Sequence, residues 1–530
     1  MPAGEATVMS DAAPATGGDR EEHPDSPYAW LVLAVLVCVY ILSSMDRTIL
    51  SILAEDIKKS FGMTDGQLGF LHGTAFSVFY ALFGYPMGRL IDRWRRTRLL
   101  AIAITIWSGM TIMCGLAGSV AQLTAARIGV GIGEATASPA GFSLVSDWFT
   151  KRKRGTALGI FISGLGIGSA LALALGGVIV TRWELAFGAD RPFGLEGWQV
   201  TFILVGLPGL LLAILVASLR EPRRGLSDGI NRPGETNIWP RFFSDVASVI
   251  PPLTLIQAAR CGIGPLFFNL LGAVAAATLA FVAIRLSGDV MQWTILCIGY
   301  YAAFSSAQSM KHRDPATFAL TWKTPAFVLA MIGFGTTSVI QIVTSFWVAP
   351  LALRTFAIDK AMVGSILGFT ALLGVVGVAL GGRLADLALR FSQAGRIYVG
   401  MASALLPVPF IVIICNTHNP WVFFTCYAPI AFICAAWLAA GGATIQELVL
   451  PRMRGTATTT YFFASTLLGS GLGPYLVGKM STATGSLATA MLCSLVAVPI
   501  GVTALWFCSR RVERDEASKW DRARAAGEPD

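Results

Sequence analysis

The sequence predicts an all-α membrane protein, built from two repeated bundles of six helices with an extra pair of helices between them. Hydrophobic residues make up 54% of the 530 positions and charged residues only 13%, about half the share of a soluble domain. The apolar residues form runs long enough to cross a hydrocarbon core of roughly 30 Å. Two short motifs also recur in the same order, about 300 residues apart.

The predicted first bundle covers residues 28–219 and the second covers residues 325–508. The apolar runs lie near 28–50, 67–88, 99–118, 121–145, 155–180 and 198–219, and then near 325–353, 362–382, 396–416, 420–448, 456–480 and 485–508. Residues 220–324 add a surface segment and two further runs, near 262–285 and 290–308, which brings the expected total to 14 spans. Residues 1–27 and 509–530 are predicted tails, the first disordered and without a cleavable signal.

Basic residues set the expected orientation. With the N-terminus inside, the inner segments hold 30 of the 40 Lys and Arg residues, the outer segments 7 and the spans 3. Because positive loops favour the cytoplasmic side, both termini are predicted to be cytoplasmic, in a bacterial inner membrane. A single inserted span would destroy this bias, so the insertion is predicted to be a pair. The same placement argues against nucleic-acid binding despite the net charge of +9.

The repeat indicates the architecture. GRLID at 88–92 recurs as GRLAD at 382–386, an offset of 294, and RGTA at 154–157 recurs at 454–457, an offset of 300. The first bundle is only about 192 residues long, so two adjoining bundles would give a smaller offset than the one observed. The additional residues in the offset match the inserted segment 220–324. A parallel repeat of six-helix halves resembles the major facilitator fold.

The loop that follows Gly88 resembles the facilitator signature between helices 2 and 3. Gly88 would let two helices approach closely, and Asp92 can accept hydrogen bonds from helix N-termini and arginines. The alternative is that the arginines only set the orientation. The predicted conformational latch comprises Gly88, Asp92, Arg93 and Arg96, with the second-half residues Gly382, Arg383 and Asp386.

Four ionisable residues lie inside predicted spans, where charges are costly and normally face a cavity or a partner. Asp46 and Arg47 lie in helix 1, and Arg127 and Glu134 share one face of helix 4. We predict that Asp46 pairs with Arg127 and that Glu134 accepts a proton, since burial disfavours an ionised carboxylate. Two alternatives stay open: Arg127 binds an anionic group of the substrate, or the cluster is a static ion pair.

Polar and aromatic residues in the spans are weaker candidates for the substrate cavity, with packing as the alternative. They are His72, Phe76, Tyr80, Trp107, Gln341, Trp347 and Tyr461. No metal, cofactor or nucleotide is expected: the 9 cysteines form no ligand pattern. Residues 473–479 have P-loop spacing, but Met480 stands where Ser or Thr is needed.

The first half is similar to the Spinster family of major facilitators. The similarity lies in MDR at 45–47, FG at 83–84, DR at 92–93, WS at 107–108, Arg127, GIGEA at 131–135 and SDWF at 146–149. It covers about residues 40–180 and implies a twelve-helix core, alternating access, and inward-facing charges on helices 1 and 4. Animal members of that family move lysophospholipids and sphingoid phosphates. The inserted pair departs from the twelve-helix core.

Together these features predict a proton-linked secondary transporter, not an enzyme, for a small organic solute that is anionic or amphipathic. One alternative is an exporter of lysolipids or sphingoid-like lipids, and another is a membrane sensor that no longer transports. The expected partners are the bilayer, the small-molecule substrate and protons, with no nucleic acid or nucleotide. The chain is expected to act as a monomer.

Overall fold

The computed structural model describes residues 24–188, 190–222, 224 and 238–528, and within these ranges it contains helices and no β-strand. Most of the predicted N-terminal tail (residues 1–23) and part of the linker (residues 225–237) lie outside the described residues. The all-helical fold class predicted from the composition and the apolar runs is confirmed.

The helices follow the predicted spans closely. The first half contains α1 (Pro27–Phe61), α2 (Asp65–His72), α3 (Thr74–Arg93), α4 (Arg96–Gly115), α5 (Val120–Glu134), α6 (Ala137–Trp148), α7 (Lys151–Phe187) and α8 (Gly197–Ser218). The linker contains α9 (Ile238–Ala247), α10 (Leu253–Arg260), α11 (Ile263–Ser287), α12 (Val290–Arg313) and α13 (Pro315–Thr321).

The second half is also helical, with more breaks along its helices than the first half. It contains α14 (Pro325–Thr355), α15 (Lys360–Ala388), α16 (Gly395–Leu405), α17 (Val408–Asn416), α18 (Pro420–Cys434), α19 (Ala436–Glu447), α20 (Arg454–Gly469), α21 (Gly473–Thr484), α22 (Leu487–Ser494), α23 (Ala497–Ser509), α24 (Val512–Ala517) and α25 (Lys519–Ala525). Short breaks divide several long helices, so one predicted span often corresponds to two helices in line.

Among the described residues, eleven helical stretches are long and apolar enough to cross a membrane. Three further predicted spans coincide with helices that are more polar: α5 with α6, α12, and α20 with α21. The count of 14 crossings and the domain boundaries stay predictions.

The two bundles approach each other most closely at one end. We call the end that holds Pro27 and Ser509 the termini side, and the opposite end the far side. At the far side, a Cβ atom on Gly69 of α2 would lie 2.2 Å from the carbonyl oxygen of Pro474 in α21. A Cβ atom on Gly478 of α21 would lie 2.1 Å from the carbonyl oxygen of Asp65. Only glycine lets the backbones of opposing bundles come this close.

Ion pairs between the bundles reinforce the far side. The Arg354 guanidinium lies 2.6 Å from the Glu55 carboxylate and 2.7 Å from that of Asp65. The Lys360 ammonium lies 2.5 Å from the carboxylate of Asp56. Each pair joins the start of the second bundle to the first, so these contacts hold the far side closed.

The termini side is open. Several glycines on its helices would place a Cβ within 4 Å of no described atom: Gly84, Gly88, Gly155, Gly159 and Gly455. The close helix approach predicted at Gly88 is not made in this state, because no described atom lies within 4 Å of a Cβ at that position.

We expect Gly478→Ala to loosen the far side, because its methyl group would overlap the Asp65 carbonyl. Spin labels on the exposed residues Lys59 and Met362 measure the separation of the bundles there. The distance should lengthen in Gly478→Ala and stay unchanged in Gly109→Ala, whose Cβ meets no described atom within 4 Å. An unchanged distance in both variants would contradict the role given to glycine.

Candidate functional site

The four predicted intramembrane charges meet at one place between α1 and α5. Asp46 is 2% exposed, Arg127 1% and Glu134 0%, whereas the Arg47 side chain is 28% exposed. Three of the four ionisable groups are thus enclosed by protein, and Arg47 alone opens toward the space between the bundles.

Glycines on α5 bring this cluster together. A Cβ on Gly131 would lie 2.5 Å from the carbonyl oxygen of Phe76 in α3, and one on Gly133 would lie 2.8 Å from the Cβ of Trp107 in α4. Because α5 packs so closely against both helices, Glu134 at its C-terminus lies in the interior, facing α1.

The observed pairing differs from the predicted one. Arg47 Nε lies 2.6 Å from Glu134 Oε2, and Ser43 Oγ donates to the same oxygen at 2.9 Å. Arg127 donates at 2.9 Å to the main-chain oxygen of Asp46 and not to its carboxylate. The predicted Asp46–Arg127 ion pair is therefore wrong. Neighbours on a helix point about 100° apart, and the α1 face that meets Glu134 carries Ser43 and Arg47.

Several polar atoms in the cluster have no hydrogen-bond partner in the described part of the chain. They are Asp46 Oδ1, Glu134 Oε1, and Arg127 Nε and Nη2. An unsatisfied buried polar group costs about 1–3 kcal/mol, and more when charged. The cluster therefore retains both donor and acceptor capacity, which a proton and an anionic ligand could use.

Aromatic rings surround the two guanidinium groups. The Arg47 guanidinium lies 4.5 Å from the ring centroid of Tyr80 and 5.2 Å from that of Phe76. The Arg127 guanidinium lies 5.3 Å from the Phe76 ring centroid. Such contacts stabilise a cation and fix its orientation, so Phe76 helps to position both arginines and Tyr80 helps to position Arg47 at the edge of the cleft.

Two other cavity candidates also reach this region. His72 stacks on Phe346 of the second bundle, with ring centroids 4.0 Å apart, and is partly exposed. Gln341 is partly exposed and accepts a hydrogen bond from the indole of Trp437 at 2.6 Å. One residue from each bundle, His72 and Gln341, therefore lies beside the cleft.

Three candidates do not line an open cavity in this state. Trp107, Trp347 and Tyr461 are each 0% exposed. The indole N–H of Trp347 donates to the carbonyl oxygen of Pro474 at 3.2 Å. In this state all three side chains pack in the interior, which is the alternative to lining a substrate cavity.

Two arginines of the predicted latch, Arg93 and Arg96, and their neighbour Arg89 bind carboxylates that the motif did not reveal. Arg89 and Arg93 of α3 both contact Asp245 of α9, at 2.6 and 2.8 Å. Arg96 pairs with Asp147 of α6 and lies 2.8 Å from the Glu221 carboxylate. These partners belong to the first bundle and the linker, not to the second bundle. The latch role itself stays a prediction.

A symmetric ion pair in the second bundle was also missed. Arg396 pairs with Glu447, and both residues lie 300 positions after the pair Arg96 and Asp147. Arg396 also lies 3.0 Å from the predicted latch residue Asp386. The RGTA motif recurs at an offset of 300 residues, and adding 300 to the positions of Arg96 and Asp147 gives Arg396 and Glu447. The repeat therefore contained the signal for this pair.

A repeated pair of helical bundles that encloses buried charges is the architecture of many secondary membrane transporters. The family model described as the Major Facilitator Superfamily matches residues 36–474, and the chain belongs to that superfamily.

Relatives of known name agree with this assignment. An "MFS-type efflux pump" of Mycolicibacterium smegmatis is 26% identical over 522 residues, 96% of this chain and 99% of its own length. A "probable L-galactonate transporter" of Escherichia coli is 29% identical over 182 residues, 34% of this chain and 37% of that one. "Protein spinster" of Drosophila melanogaster is 26% identical over 200 residues, 38% of this chain and 31% of that one. The resemblance to Spinster proteins is confirmed.

Solved structures confirm the fold. A bacterial homologue of the human lysosomal transporter Spinster, in an inward-facing and occupied conformation, superposes with a TM-score of 0.69 at 22% identity. The superposition covers 93% of this chain and 99% of that one.

The two carboxyl groups should differ in their effect on stability. Glu134→Gln removes the counter-charge of Arg47, which should cost about 2 kcal/mol because breaking a buried pair is expensive but Arg47 is partly exposed. Asp46→Asn removes no ion pair found among the described residues. Thermal unfolding of the purified protein should therefore show a lower midpoint for Glu134→Gln only. An equal fall in Asp46→Asn would contradict this pairing.

Proposed function

We propose that this chain is a proton-linked secondary transporter of a small organic anion and works by alternating access. The observation that carries the proposal is the Asp46 carboxyl, which is 2% exposed and has an oxygen without a hydrogen-bond partner in the described ranges. It lies beside an Arg47–Glu134 ion pair that opens to the cleft.

Asp46 is the proton acceptor in this proposal, in place of Glu134. The Glu134 carboxylate is balanced by Arg47 at 2.6 Å and by the Ser43 hydroxyl. The Asp46 side chain has no such cation within salt-bridge distance among the described residues, so protonation removes a buried and poorly compensated charge. A group of this kind changes its protonation when the cleft opens to water on either side.

Proton binding and anion binding are then coupled. With Asp46 protonated, two guanidinium groups face the single carboxylate of Glu134, and the cluster has a net positive charge. Arg127 Nε and Nη2 have no described partner, and a planar guanidinium can bind a carboxylate through two hydrogen bonds. An organic anion therefore binds best to the protonated form, which favours movement of both in the same direction.

The relatives support this substrate class over the first half of the chain. The Escherichia coli relative is named for L-galactonate, a sugar acid with one carboxylate. The relative of matching length is named an efflux pump, so the direction of transport is not part of the proposal.

The bias of basic residues supports an orientation with the termini side in the cytoplasm of a bacterial inner membrane. In that orientation the state described above is inward-facing. We further propose that residues 28–219 and 325–508 form the two moving bundles, that α11 and α12 both cross the membrane to give 14 spans, and that the protein acts as a monomer.

Uptake of labelled L-galactonate into proteoliposomes, with and without an imposed pH gradient, tests the proton role. We expect a pH gradient to accelerate uptake several-fold in the wild type and not at all in Asp46→Asn. Asp190→Asn, at an exposed loop residue, is the matched control and should behave as the wild type.

Other outcomes would point to the alternatives. Gradient-driven uptake that survives in Asp46→Asn but not in Glu134→Gln would return the proton role to Glu134. Flux of a labelled lysolipid without flux of any sugar acid would favour the lipid exporter. Binding of L-galactonate without flux would favour a sensor.

If the protein works by alternating access, Gly88 should be needed in the state in which the termini side is closed. A Cβ at position 88 meets no described atom within 4 Å here, so we expect Gly88→Leu to fold and to bind L-galactonate normally. Its side chain would obstruct closure of the termini side, and transport should fall about tenfold or more, since overpacking costs about 1–3 kcal/mol. Gly109→Leu on α4 is the control. Normal transport by Gly88→Leu would show that the bundles do not close there.

A further inference from the structure

A small cavity lies on the termini side, between the linker helices α9 and α10 and the inserted pair α11 and α12. Its interior has room for a group about the size of one water molecule, and the space reaches about 270 Å³ only when the open region at its mouth is included. Neutral polar side chains dominate its lining, among them Ser248, Thr254, Gln257, Asn269, Ser305 and His312. The cavity is separate from the charge cluster between α1 and α5.

Most of the polar groups around the cavity bond to one another. The Tyr301 hydroxyl donates to Asn269 Oδ1 at 2.5 Å, and Asn269 Nδ2 donates to Ser305 Oγ at 3.0 Å. The Thr254 hydroxyl lies 3.1 Å from that of Tyr301. These bonds join α10, α11 and α12 into one rigid wall.

Gln257 is the exception. It is 8% exposed, and its amide nitrogen donates to the carbonyl oxygen of Ser244 in α9 at 3.1 Å. A carbonyl oxygen can only accept, so the amide nitrogen must face Ser244. This leaves Oε1 buried, with no partner in the described part of the chain. An unsatisfied buried acceptor calls for a donor such as a hydroxyl group.

A helix N-terminus and two arginines adjoin residues that line the cavity. Helix α11 starts at Ile263, directly after Gly262, and no described side chain caps its first turn. The exposed residues Arg260 and Arg313 adjoin Cys261 and His312, which line the cavity. A long helix with free N–H groups at its N-terminus, flanked by arginines, favours a phosphate group.

Beyond the cavity-lining residues Pro265 and Asn269, α11 presents an apolar surface that is exposed around much of the helix. Ile263 is 87% exposed, Phe267 62%, Phe268 60% and Leu271 55%. In a membrane this face contacts acyl chains. A ligand whose polar end occupies the cavity would therefore have its apolar part along α11.

We propose that this cavity binds one anionic glycerophospholipid whose headgroup carries hydroxyl groups. Its phosphate lies at the N-terminus of α11 beside Arg260, a headgroup hydroxyl donates to Gln257 Oε1, and its acyl chains follow the exposed face of α11. Since Gln257 bonds to Ser244, next to Asp245, the lipid also steadies the helix whose carboxylate holds Arg89 and Arg93.

Lipid retention on the purified full-length protein, measured by native mass spectrometry in detergent, tests this proposal. The probes are dioleoyl phosphatidylglycerol, phosphatidylethanolamine, and phosphatidylmethanol, which is anionic but has no headgroup hydroxyl. The wild type should retain phosphatidylglycerol best. Arg260→Ala should weaken this binding about tenfold, the usual effect of losing a hydrogen bond to a charged group. Arg390→Ala, at an exposed arginine of the termini side, should leave it unchanged.

Gln257→Met tests the hydroxyl contact separately. It should weaken phosphatidylglycerol several-fold and leave phosphatidylmethanol unchanged. If this variant fails to fold, the comparison of the two anionic lipids on the wild type decides the same point.

Three results of these retention measurements would overturn the proposal, and a displacement experiment adds a fourth. They are equal retention of phosphatidylglycerol and phosphatidylethanolamine, an equal loss in Arg260→Ala and Arg390→Ala, and no preference of the wild type for phosphatidylglycerol over phosphatidylmethanol. Displacement of the lipid by an equal concentration of glycerol 3-phosphate would also overturn it, because the acyl chains would then contribute nothing.

Discussion

The ion pair between Arg47 and Glu134 is the interaction on which the centre of this molecule depends. A lone charge in the low-dielectric interior is expensive, and here the pair joins α1 to the end of α5 at 2.6 Å. It balances the charge of the Glu134 carboxylate, whereas the Asp46 carboxylate has no cation within salt-bridge distance among the described residues. Asp46 is adjacent to Arg47 on α1, and Glu134 lies seven residues after Arg127 on α5. Which of the two carboxylates has a cation partner therefore depends on which face of α1 meets α5.

Closure of the far side depends on a different kind of contact. There the bundles touch backbone to backbone at glycines, and Arg354 and Lys360 add ion pairs across the junction. The termini side also carries glycines that could allow close helix packing, but in this state they face open space. Glycines that allow close helix packing are thus present at both ends, although the bundles meet at only one of them. Such a molecule could close at either end, but not at both at once. The buried cluster lies between them, where either opening can expose it.

Much of this arrangement could be predicted from the sequence. The apolar runs located the helices, although α1 ends at Phe61 and not near residue 50, and α7 ends at Phe187 and not near residue 180. The seven-residue spacing of Arg127 and Glu134 placed them on one face of α5. The pairing could not be predicted, because Asp46 and Arg47 are adjacent and only the packing of α1 decides which one meets Glu134. The role of Gly88 depends on which end is closed, which a single sequence does not encode. Asp245 was missed because it lies in the inserted linker, which has no counterpart in the repeat.

The central claim is that Asp46 takes up a proton when the organic anion binds. Its most direct test is the pH change of a weakly buffered solution of purified protein on addition of L-galactonate. Uptake of about one proton per bound anion in the wild type, and none in Asp46→Asn despite retained binding, is the predicted result. Equal proton uptake by both proteins would contradict the account.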